Sequence, residues 1–308
     1  TIIHKWEFEQ HVKYLKFWME KCVGCDLCRI ACPTRCITLG PVPEIASGQL
    51  EMVPPINVDF EACAYCGLCA AICPVSAFEM TTEPTGFISM DDLPVFLYKD
   101  FVKKVQEQLE RSLEAPASKH VTPPTDIEKP SEGEVVIRND ILDRCDPMGC
   151  KGCLNICPTD CFWVPRRAED IQEFGKITMD DDLCIHCGAC KNACPERIIE
   201  VHRNQITYHF PETVKDRFWM KAYRNAIKKL LDPAILEHLP EPIPVKESMV
   251  EDVSEAMEKV IETLSPERKA ELEEKYEKVK DLLSKINVRY WIEMKKLDKL
   301  NKMVEKNL

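Results

Sequence analysis

The sequence predicts an α+β protein. Two copies of a small cysteine-bound module are joined by a helical, proline-rich linker and followed by a long helical extension. A phrase of four cysteines that ends in Cys-Pro occurs four times. Short apolar stretches suited to strands flank these phrases, whereas beyond residue 210 the apolar residues recur at helical spacing. Together, these patterns predict the fold class.

The four phrases share one spacing, with a single departure. The phrases at Cys22–Pro33, Cys63–Pro74 and Cys184–Pro195 separate their cysteines by two, two and three residues. The phrase at Cys145–Pro158 has four residues between its first two cysteines. An iron–sulfur cube offers four iron corners to soft thiolates, and three cysteines in a tight loop can bind three of them. In the two-cluster pattern the last cysteine binds the other cluster, so the phrases act in pairs.

Pairing neighbouring phrases predicts four [4Fe-4S] clusters, which use sixteen of the 18 cysteines. We name the four predicted ligand sets A to D. They are Cys22, Cys25, Cys28 and Cys73 (set A); Cys63, Cys66, Cys69 and Cys32 (set B); Cys145, Cys150, Cys153 and Cys194 (set C); and Cys184, Cys187, Cys190 and Cys157 (set D). Because each set draws on both halves of a module, we expect cluster binding and folding to be one event.

Two other uses of the cysteines fit the pattern less well. Disulfides belong to oxidising compartments, and the first ten residues show no apolar signal-peptide core. Structural zinc usually takes paired C-x-x-C ribbons rather than a three-cysteine run closed by Cys-Pro. The longer loop after Cys145 favours a tolerated insertion, since loop closure costs little more for a few extra residues. The alternative is a cluster of altered exposure or potential.

Two cysteines fall outside the ligand sets. Cys36 and Cys161 each lie three residues beyond the proline of their phrase, in CPTRCI and CPTDCF. Their matching positions indicate that the two modules are copies. We interpret them as small buried side chains packed beside a cluster, with a spare ligand or a redox-sensitive thiol as the alternative.

Length, charge and missing motifs limit the possible functions. The 308 residues give room for two or three domains, and no apolar run is long enough to cross a bilayer. Abundant cysteines without a secretion signal predict the cytoplasm. A net charge of −11 disfavours nucleic-acid binding and favours basic patches on partner proteins, although it also confers solubility. Neither G-x-G-x-x-G nor a P-loop is present, so these motifs give no support for binding of NAD, flavin or ATP. Because four cysteines per cluster would leave no iron corner open to a substrate, no catalytic site of the chain's own is expected.

The chain divides into four predicted regions. Residues 1–90 and 134–210 form the two modules. Residues 91–133 hold a predicted helix over Asp91–Glu114 and then a linker that is expected to be extended and mobile. Residues 211–308 form the helical extension.

Within the first module, each stretch has a predicted role. The apolar stretch Val12–Met19 predicts a strand that leads into the first cysteine loop, and residues Ala31–Thr38 are expected to form the helix after it. The proline-rich Gly40–Pro55 is predicted to be a surface loop. Ile56–Val58 leads into the second cysteine loop, and Ala77–Met80 closes the module.

The C-terminal region predicts three helices. Val214–Leu230 is amphipathic and basic, Met249–Leu264 follows a proline-rich break, and Ser265-Pro266 starts a third helix with a favourable cap. An apolar stripe with a period near 3.5 then predicts a helix of some forty residues, about 60 Å long. Either this stripe docks the chain on other subunits of a redox complex, or the last helices pack as a hairpin on their own chain.

Residues 12–80 and 134–203, with their C-x-x-C-x-x-C…C-P phrases, resemble bacterial-type two-cluster ferredoxin domains. A chain with several such domains resembles the polyferredoxins of methanogenic and related archaea. The phrases CDPMGCKGC and CPTDCFWVP resemble the polyferredoxin subunit of formylmethanofuran dehydrogenase. The resemblance implies a subunit without catalysis of its own that relays single electrons within or to a redox complex of anaerobic one-carbon or hydrogen metabolism. The alternative is a structural adaptor whose clusters mainly stabilise the fold while the C-terminal helices organise an assembly.

Overall fold

The computed structural model describes most of the chain. The described residues are 1–8, 12–83, 90–114, 121–165, 167–214, 217–232, 266–293 and 296–307. They form two compact units, of which the first comprises Thr1–Ser47 with Pro54–Glu241 and the second Gly48–Val53 with Pro242–Leu308. The predicted helix over Met249–Leu264 and the predicted cap at Ser265 lie outside the described residues.

The first module consists of two antiparallel strand pairs and short helices. Its elements are β1 (Ile2–Glu7), β2 (Val12–Phe17), α1 (Leu27–Ala31), β3 (Ile37–Leu39), α2 (Val42–Ala46), β4 (Ile56–Val58), α3 (Leu68–Ile72) and β5 (Phe78–Glu83). β2 pairs with β5 so that Phe17 lies opposite Phe78, and β3 pairs with β4. β1 adds an edge strand to β2, which the sequence did not predict.

The region after the first module is more ordered than the sequence predicted. A 3₁₀ turn at Met90–Asp92 and strand β6 (Val95–Phe96) precede helix α4, which spans Tyr98–Glu114. The predicted helix from Asp91 therefore begins seven residues too early. Within the predicted linker, the described residues 121–130 form no helix, and Val121 and Ile127 pack against the core, which the sequence did not predict.

The second module repeats the plan of the first. It contains β7 (Ser131–Ile137), α5 (Gly152–Ile156), β8 (Phe162–Trp163), α6 (Ala168–Phe174), β9 (Thr178–Met179), α7 (Ala189–Ala193) and β10 (Ile199–Ile206). β7 pairs with β10 and β8 with β9, both antiparallel. The register of β10 shifts between Arg203 and Gln205. Such an irregularity redirects the neighbouring side chains.

The short helices begin and end for local reasons. In three of the loops the residue before the helix has a left-handed backbone, with φ of 76° at Asp26, 80° at Gly67 and 91° at Gly188. All four helices stop at the cysteine before proline, for example Cys32 and Cys157, where the backbone is extended. A residue that precedes proline disfavours the helical conformation, so the Cys-Pro pair ends each helix.

Two predictions for the first module are therefore corrected. The helix is α1 at Leu27–Ala31, inside the cysteine phrase, rather than Ala31–Thr38, because the left-handed Asp26 starts it early. The predicted surface loop Gly40–Pro55 contains α2, whose Val42 and Ala46 side chains are buried.

Helix α2 also connects the two modules. It packs against α5 and α7 of the second module. The side-chain amide of Asn155 donates to the carbonyl oxygen of Ala46 at 3.4 Å. A Cβ atom on Gly152 would lie 3.0 Å from the carbonyl oxygen of Ala193, so glycine allows α5 and α7 to approach closely.

The chain continues beyond the second module with β11 (Tyr208–His209), which pairs with β6, and helix α8 (Met220–Lys228). Flanking 3₁₀ turns lie at Glu212–Val214 and Lys229–Leu231. The predicted helix Val214–Leu230 is shorter in the structure, since α8 begins only at Met220; within it, Tyr223 and Ile227 are buried.

In the second unit the predicted forty-residue helix is wrong. It is divided into α9 (Pro266–Ser284), α10 (Ile286–Glu293) and α11 (Leu297–Asn307). Tyr276, Leu283 and Tyr290 of the predicted stripe are buried. In the described parts of the chain, none of the helices has the length and apolar character needed to span a membrane.

Candidate iron–sulfur sites

The thiols of set A surround one cavity. Cys22, Cys25 and Cys28 come from the first loop and Cys73 from the end of α3, and all four line a space of about 320 Å³ that is partly open to solvent. Ile56 and Phe78 complete the apolar wall. The structure thus brings together three thiols of one phrase with the last thiol of the next.

Set B surrounds a second cavity in the same module. Cys63, Cys66 and Cys69 meet Cys32 around a space of about 360 Å³, which Leu15 and Met80 also line. Cys28 of set A lines this cavity too, so the two sites adjoin at that residue.

Set D forms the corresponding site of the second module. Cys184, Cys187 and Cys190 line a cavity of about 290 Å³ together with Cys157 from the end of α5. Cys184, Cys187 and Cys190 are buried, as are Cys25 and Cys28 of set A.

Set C is more open. Cys145, Cys150, Cys153 and Cys194 are all partly exposed. They nevertheless come together, since α5, which carries Cys153, packs against α7, which ends at Cys194. Burial, and then the neighbouring thiols, raise the pKa of Cys153 to about 12.

The longer loop of set C closes as a compact turn. The carboxylate of Asp146 accepts hydrogen bonds from the amides of Met148 and Gly149, both at 3.1 Å. The backbone carbonyl of Asp146 accepts a third, from the amide of Cys150 at 2.8 Å. Met148 is 80% exposed, so the two additional residues bulge outward. This geometry explains how four intervening residues can occupy the position of two.

Backbone amides donate to several of the thiols. The amide of Tyr65 lies 3.4 Å from Cys63 Sγ, and the amide of His186 lies 3.4 Å from Cys184 Sγ. At the helix ends, the amides of Ala77 and Ile198 donate to Cys73 and Cys194 at 3.2 and 3.4 Å. Such hydrogen bonds to sulfur stabilise thiolates and help to set cluster potentials.

Burial keeps most of the ligand thiols neutral in the free protein. It raises the pKa of Cys22 and of Cys187 to about 12, and that of Cys28 well above the ordinary value. A thiolate in such a place needs a positive partner, so metal binding has to displace the protons. Binding of the group and deprotonation are therefore coupled.

The two remaining cysteines lie beside sets B and D. Cys36 Sγ is 3.5 Å from Cys32 Sγ, and Cys161 Sγ is 3.4 Å from Cys157 Sγ. The hydrogen bond with Cys161 lowers the pKa of Cys157. Both additional thiols are buried, so they share the walls of the two cavities.

Sequence reasoning missed the charged residues around the loops. Lys13 Nζ donates to the carbonyl of Tyr65 at 2.9 Å, and Arg203 donates to the carbonyls of His186 and Cys187, both at 2.6 Å. Asp26 and Arg29 form a buried ion pair at 2.5 Å in the first loop. For Lys13, the sequence signal was a cation between the apolar residue Val12 and the aromatic residue Tyr14 of a strand.

The donor sets fit iron–sulfur clusters. Each consists of four thiols and no imidazole or carboxylate, which is the ligand type that Fe–S clusters take. The thiols line spaces instead of meeting at a point. Among the described residues, no group of three His, Cys, Asp or Glu side chains could hold a single metal ion.

Comparisons with known proteins agree with this chemistry. Residues 21–77 and 144–198 both match the 4Fe-4S dicluster domain family. Two dicluster domains imply four [4Fe-4S] clusters. Ferredoxin Fdx8 of Sorangium cellulosum is 27% identical over 117 residues, which cover 34% of this chain and 95% of that protein. A ferredoxin of Rickettsia felis is 30% identical over 89 residues, covering 29% of this chain and 73% of the relative.

One solved structure is similar along much of the chain. It is a chain of the formate dehydrogenase–heterodisulfide reductase–formylmethanofuran dehydrogenase complex from Methanospirillum hungatei, 24% identical, with a TM-score of 0.49. The match covers 80% of this chain and 92% of that chain. A likeness of this degree does not assign a function. The two dicluster matches and the ferredoxin relatives do establish that the chain belongs to the ferredoxin family, as an iron–sulfur electron carrier.

Proposed function

We propose that this chain is an electron-transfer subunit in which sets A, B, C and D each hold one [4Fe-4S] cluster. When bound, each cluster supplies a centre that takes up and releases single electrons. The observation that supports the assignment most directly is the composition of the three cavities. Each is lined by three thiols of one phrase and the last thiol of its partner phrase.

The protein arranges the four sets as neighbours. Cys28 lines the cavities of both set A and set B. Across the module boundary, a Cβ atom on Gly188 of the set D loop would lie 3.4 Å from the carbonyl oxygen of Cys25 in set A. In the second module, α5 and α7, which carry or end at cysteines of both set C and set D, pack against each other. The sets therefore follow one another in the order B, A, D, C.

This order places the more exposed sets at the two ends. The loop cysteines of set B and all cysteines of set C are partly exposed, whereas most of the cysteines of sets A and D are buried. Apolar side chains such as Leu27, Ile56 and Ile185 exclude water from the inner sites. We propose sets B and C as the points where electrons enter and leave.

The function is tested on anaerobically prepared full-length chain. We expect about sixteen irons per chain, and an electron paramagnetic resonance (EPR) titration should show four one-electron centres. Zinc in place of iron, or centres that no physiological donor reduces, would contradict the proposal.

We further propose that the partner is a larger redox complex of the formylmethanofuran dehydrogenase type. Support comes from the phrases CDPMGCKGC and CPTDCFWVP, which resemble its polyferredoxin subunit. The helices beyond Pro244 are the proposed docking region. A chain truncated after Pro244 should retain its iron and no longer co-purify with partner subunits, and retention of the partners would exclude these helices as the anchor.

Electron flux distinguishes an electron-transfer subunit from a structural adaptor. Cys66→Ser removes one ligand of set B and should remove one cluster from the chain. If the assembly persists and electron flux is unchanged, the clusters act mainly as structural elements. A loss of flux with an intact assembly supports the electron-transfer function.

A further inference from the structure

In two cysteine loops, a positively charged side chain donates a hydrogen bond to the backbone carbonyl at the equivalent position. Tyr65 and His186 are equivalent, since each is the second residue after the first cysteine of its phrase. Both have a left-handed backbone, with φ of 49° and 48°. The carbonyl of Tyr65 accepts a hydrogen bond from Lys13 Nζ at 2.9 Å, and the carbonyl of His186 accepts one from Arg203 Nε at 2.6 Å.

The two cations come from different places in their modules. Lys13 lies on β2, the strand before the first phrase, whereas Arg203 lies on β10, after the last phrase. Copying of one module into two does not explain this arrangement, because the residues are not at equivalent positions. The two cations share the loop carbonyl that they bind, but they come from different positions in the sequence.

Further contacts hold both cations at these carbonyls. Lys13 is only 7% exposed and also lies over the Phe8 ring, 5.5 Å from its centroid. Arg203 adds a second hydrogen bond, from Nη2 to the carbonyl of Cys187 at 2.6 Å. A Cβ atom on Gly188 would lie 3.0 Å from that Nη2 atom, so glycine leaves room for the guanidinium group.

The first loop provides an internal comparison. Its equivalent carbonyl belongs to Gly24 and accepts a hydrogen bond at 2.9 Å from the neutral side-chain amide of Asn192. The same position is therefore hydrogen-bonded in three loops, but it carries a charged donor only in the loops of sets B and D. Hydrogen bonding alone does not require a cation there.

We propose that Lys13 and Arg203 are positioning residues that also raise the reduction potentials of the centres at sets B and D. A reduced cluster carries one more negative charge than an oxidised one, so a fixed positive charge beside it favours reduction. Partial exclusion of water strengthens the effect, since the effective dielectric constant is low near buried groups. This inference rests on the proposed function, because it requires clusters at those sets.

The test separates charge from hydrogen bonding. Lys13→Gln and Arg203→Gln keep an N–H donor and remove the charge. In a redox titration followed by EPR, each variant should shift one centre to lower potential, and the two variants should shift different centres. We expect the ratio of oxidised to reduced centre at a fixed potential to rise about tenfold, which corresponds to about 59 mV for one electron.

Matched controls remove partly exposed charges from nearby positions. Lys16 on β2 lies beside Glu79, and Arg138 pairs with Asp140. Lys16→Gln and Arg138→Gln should leave all four potentials unchanged. Equal shifts in the control variants, or unshifted centres in fully loaded Lys13→Gln and Arg203→Gln proteins, overturn the inference.

A second pair of variants tests the inference in case a substitution to glutamine causes loss of iron. If a glutamine variant loses one cluster, Lys13→Arg and Arg203→Lys keep the charge and change the hydrogen-bond geometry. The inference then requires wild-type potentials in these variants, and a displaced centre contradicts it. A wild-type chain without reducible clusters would instead contradict the proposed function.

Discussion

The side-chain amide of Asn192 donates to the carbonyl oxygen of Gly24 at 2.9 Å, across the boundary between the two modules. Asn192 belongs to helix α7 beside Cys190 and Cys194, and Gly24 lies in the loop of set A. One hydrogen bond thus connects the loop of one predicted cluster to the helix that carries ligands of two others. The orientation of the modules and the spacing of their sites depend on such contacts.

Replacing Asn192 with alanine should loosen this junction. Loss of the hydrogen bond is expected to cost about 0.5–1.5 kcal/mol. Hydrogen exchange at the amides around Gly24 should accelerate by up to roughly tenfold. Asn204→Ala, at an exposed position of β10, is the control. Equal protection in both variants would show that the contact is not stabilising.

Crossed ligation makes a specific prediction for pairs of cysteine variants. Cys22→Ser combined with Cys73→Ser removes two ligands of one predicted cluster, so the chain should retain about twelve irons. Cys63→Ser combined with Cys73→Ser affects two clusters although both residues lie in one phrase, and about eight irons should remain. Iron analysis distinguishes the cases, and the reverse result would show that each phrase binds its own cluster.

The buried ion pair in the first loop should be costly to break from one side. Asp26 and Arg29 are 5% and 7% exposed, and burial raises the pKa of Asp26. Arg29→Met leaves a buried carboxyl without its partner, which is expected to cost about 3–5 kcal/mol. Asp26→Gly combined with Arg29→Met should recover much of the loss, because glycine accepts the φ of 76° at this position. Loss of visible absorbance in denaturant, measured anaerobically, reports the stability, and a double variant as unstable as Arg29→Met would contradict the explanation.

The turn in the third phrase should govern retention of the cluster at set C. Asp146→Ala removes the carboxylate that accepts the Met148 and Gly149 amides. A loss of about 0.5–2 kcal/mol is expected by analogy with helix caps. Incubation with an iron chelator should therefore remove the set C cluster faster in this variant. Asp143→Ala, in the same region, should release iron at the wild-type rate, and equal rates for Asp146→Ala would remove the turn from the explanation.

The two additional cysteines should not be required for cluster binding. Cys36→Ser and Cys161→Ser keep a small hydrogen-bonding side chain beside Cys32 and Cys157. We expect wild-type iron content in both variants, since each cavity retains the four thiols of its predicted ligand set. Iron analysis checks this prediction, and loss of about four irons would identify the residue as a ligand.

Much of the site could be predicted because the relevant signal is local. Thiolate ligands and their spacing are properties of short segments, and the members of sets A, B and D each line one cavity of the structure. The cations on the loops could not be predicted in the same way. Lys13 looks like an ordinary polar residue of a strand, and only the folded chain places its Nζ on the Tyr65 carbonyl. Contacts between residues that are far apart in the sequence cannot be inferred from the spacing of residues within one segment.

The errors in secondary structure have similar causes. The predicted helix after the first loop was misplaced because the left-handed backbone of Asp26 starts α1 at Leu27. Aspartate adopts this conformation more readily than most residues, but the residue type alone does not mark the position. The predicted long helix beyond Ser265 followed an apolar stripe that continues across Lys285, where the structure separates α9 from α10. Periodicity reports which residues are apolar, but it does not report where a helix ends.

In each module, the strand before the first cysteine loop lies beside the last strand, β2 with β5 and β7 with β10. A module whose chain enters and leaves at adjacent points can be spliced into a longer polypeptide without disturbing its interior. Gene duplication could therefore lengthen an electron carrier of this kind by whole modules, each of which brings its own pair of cluster sites.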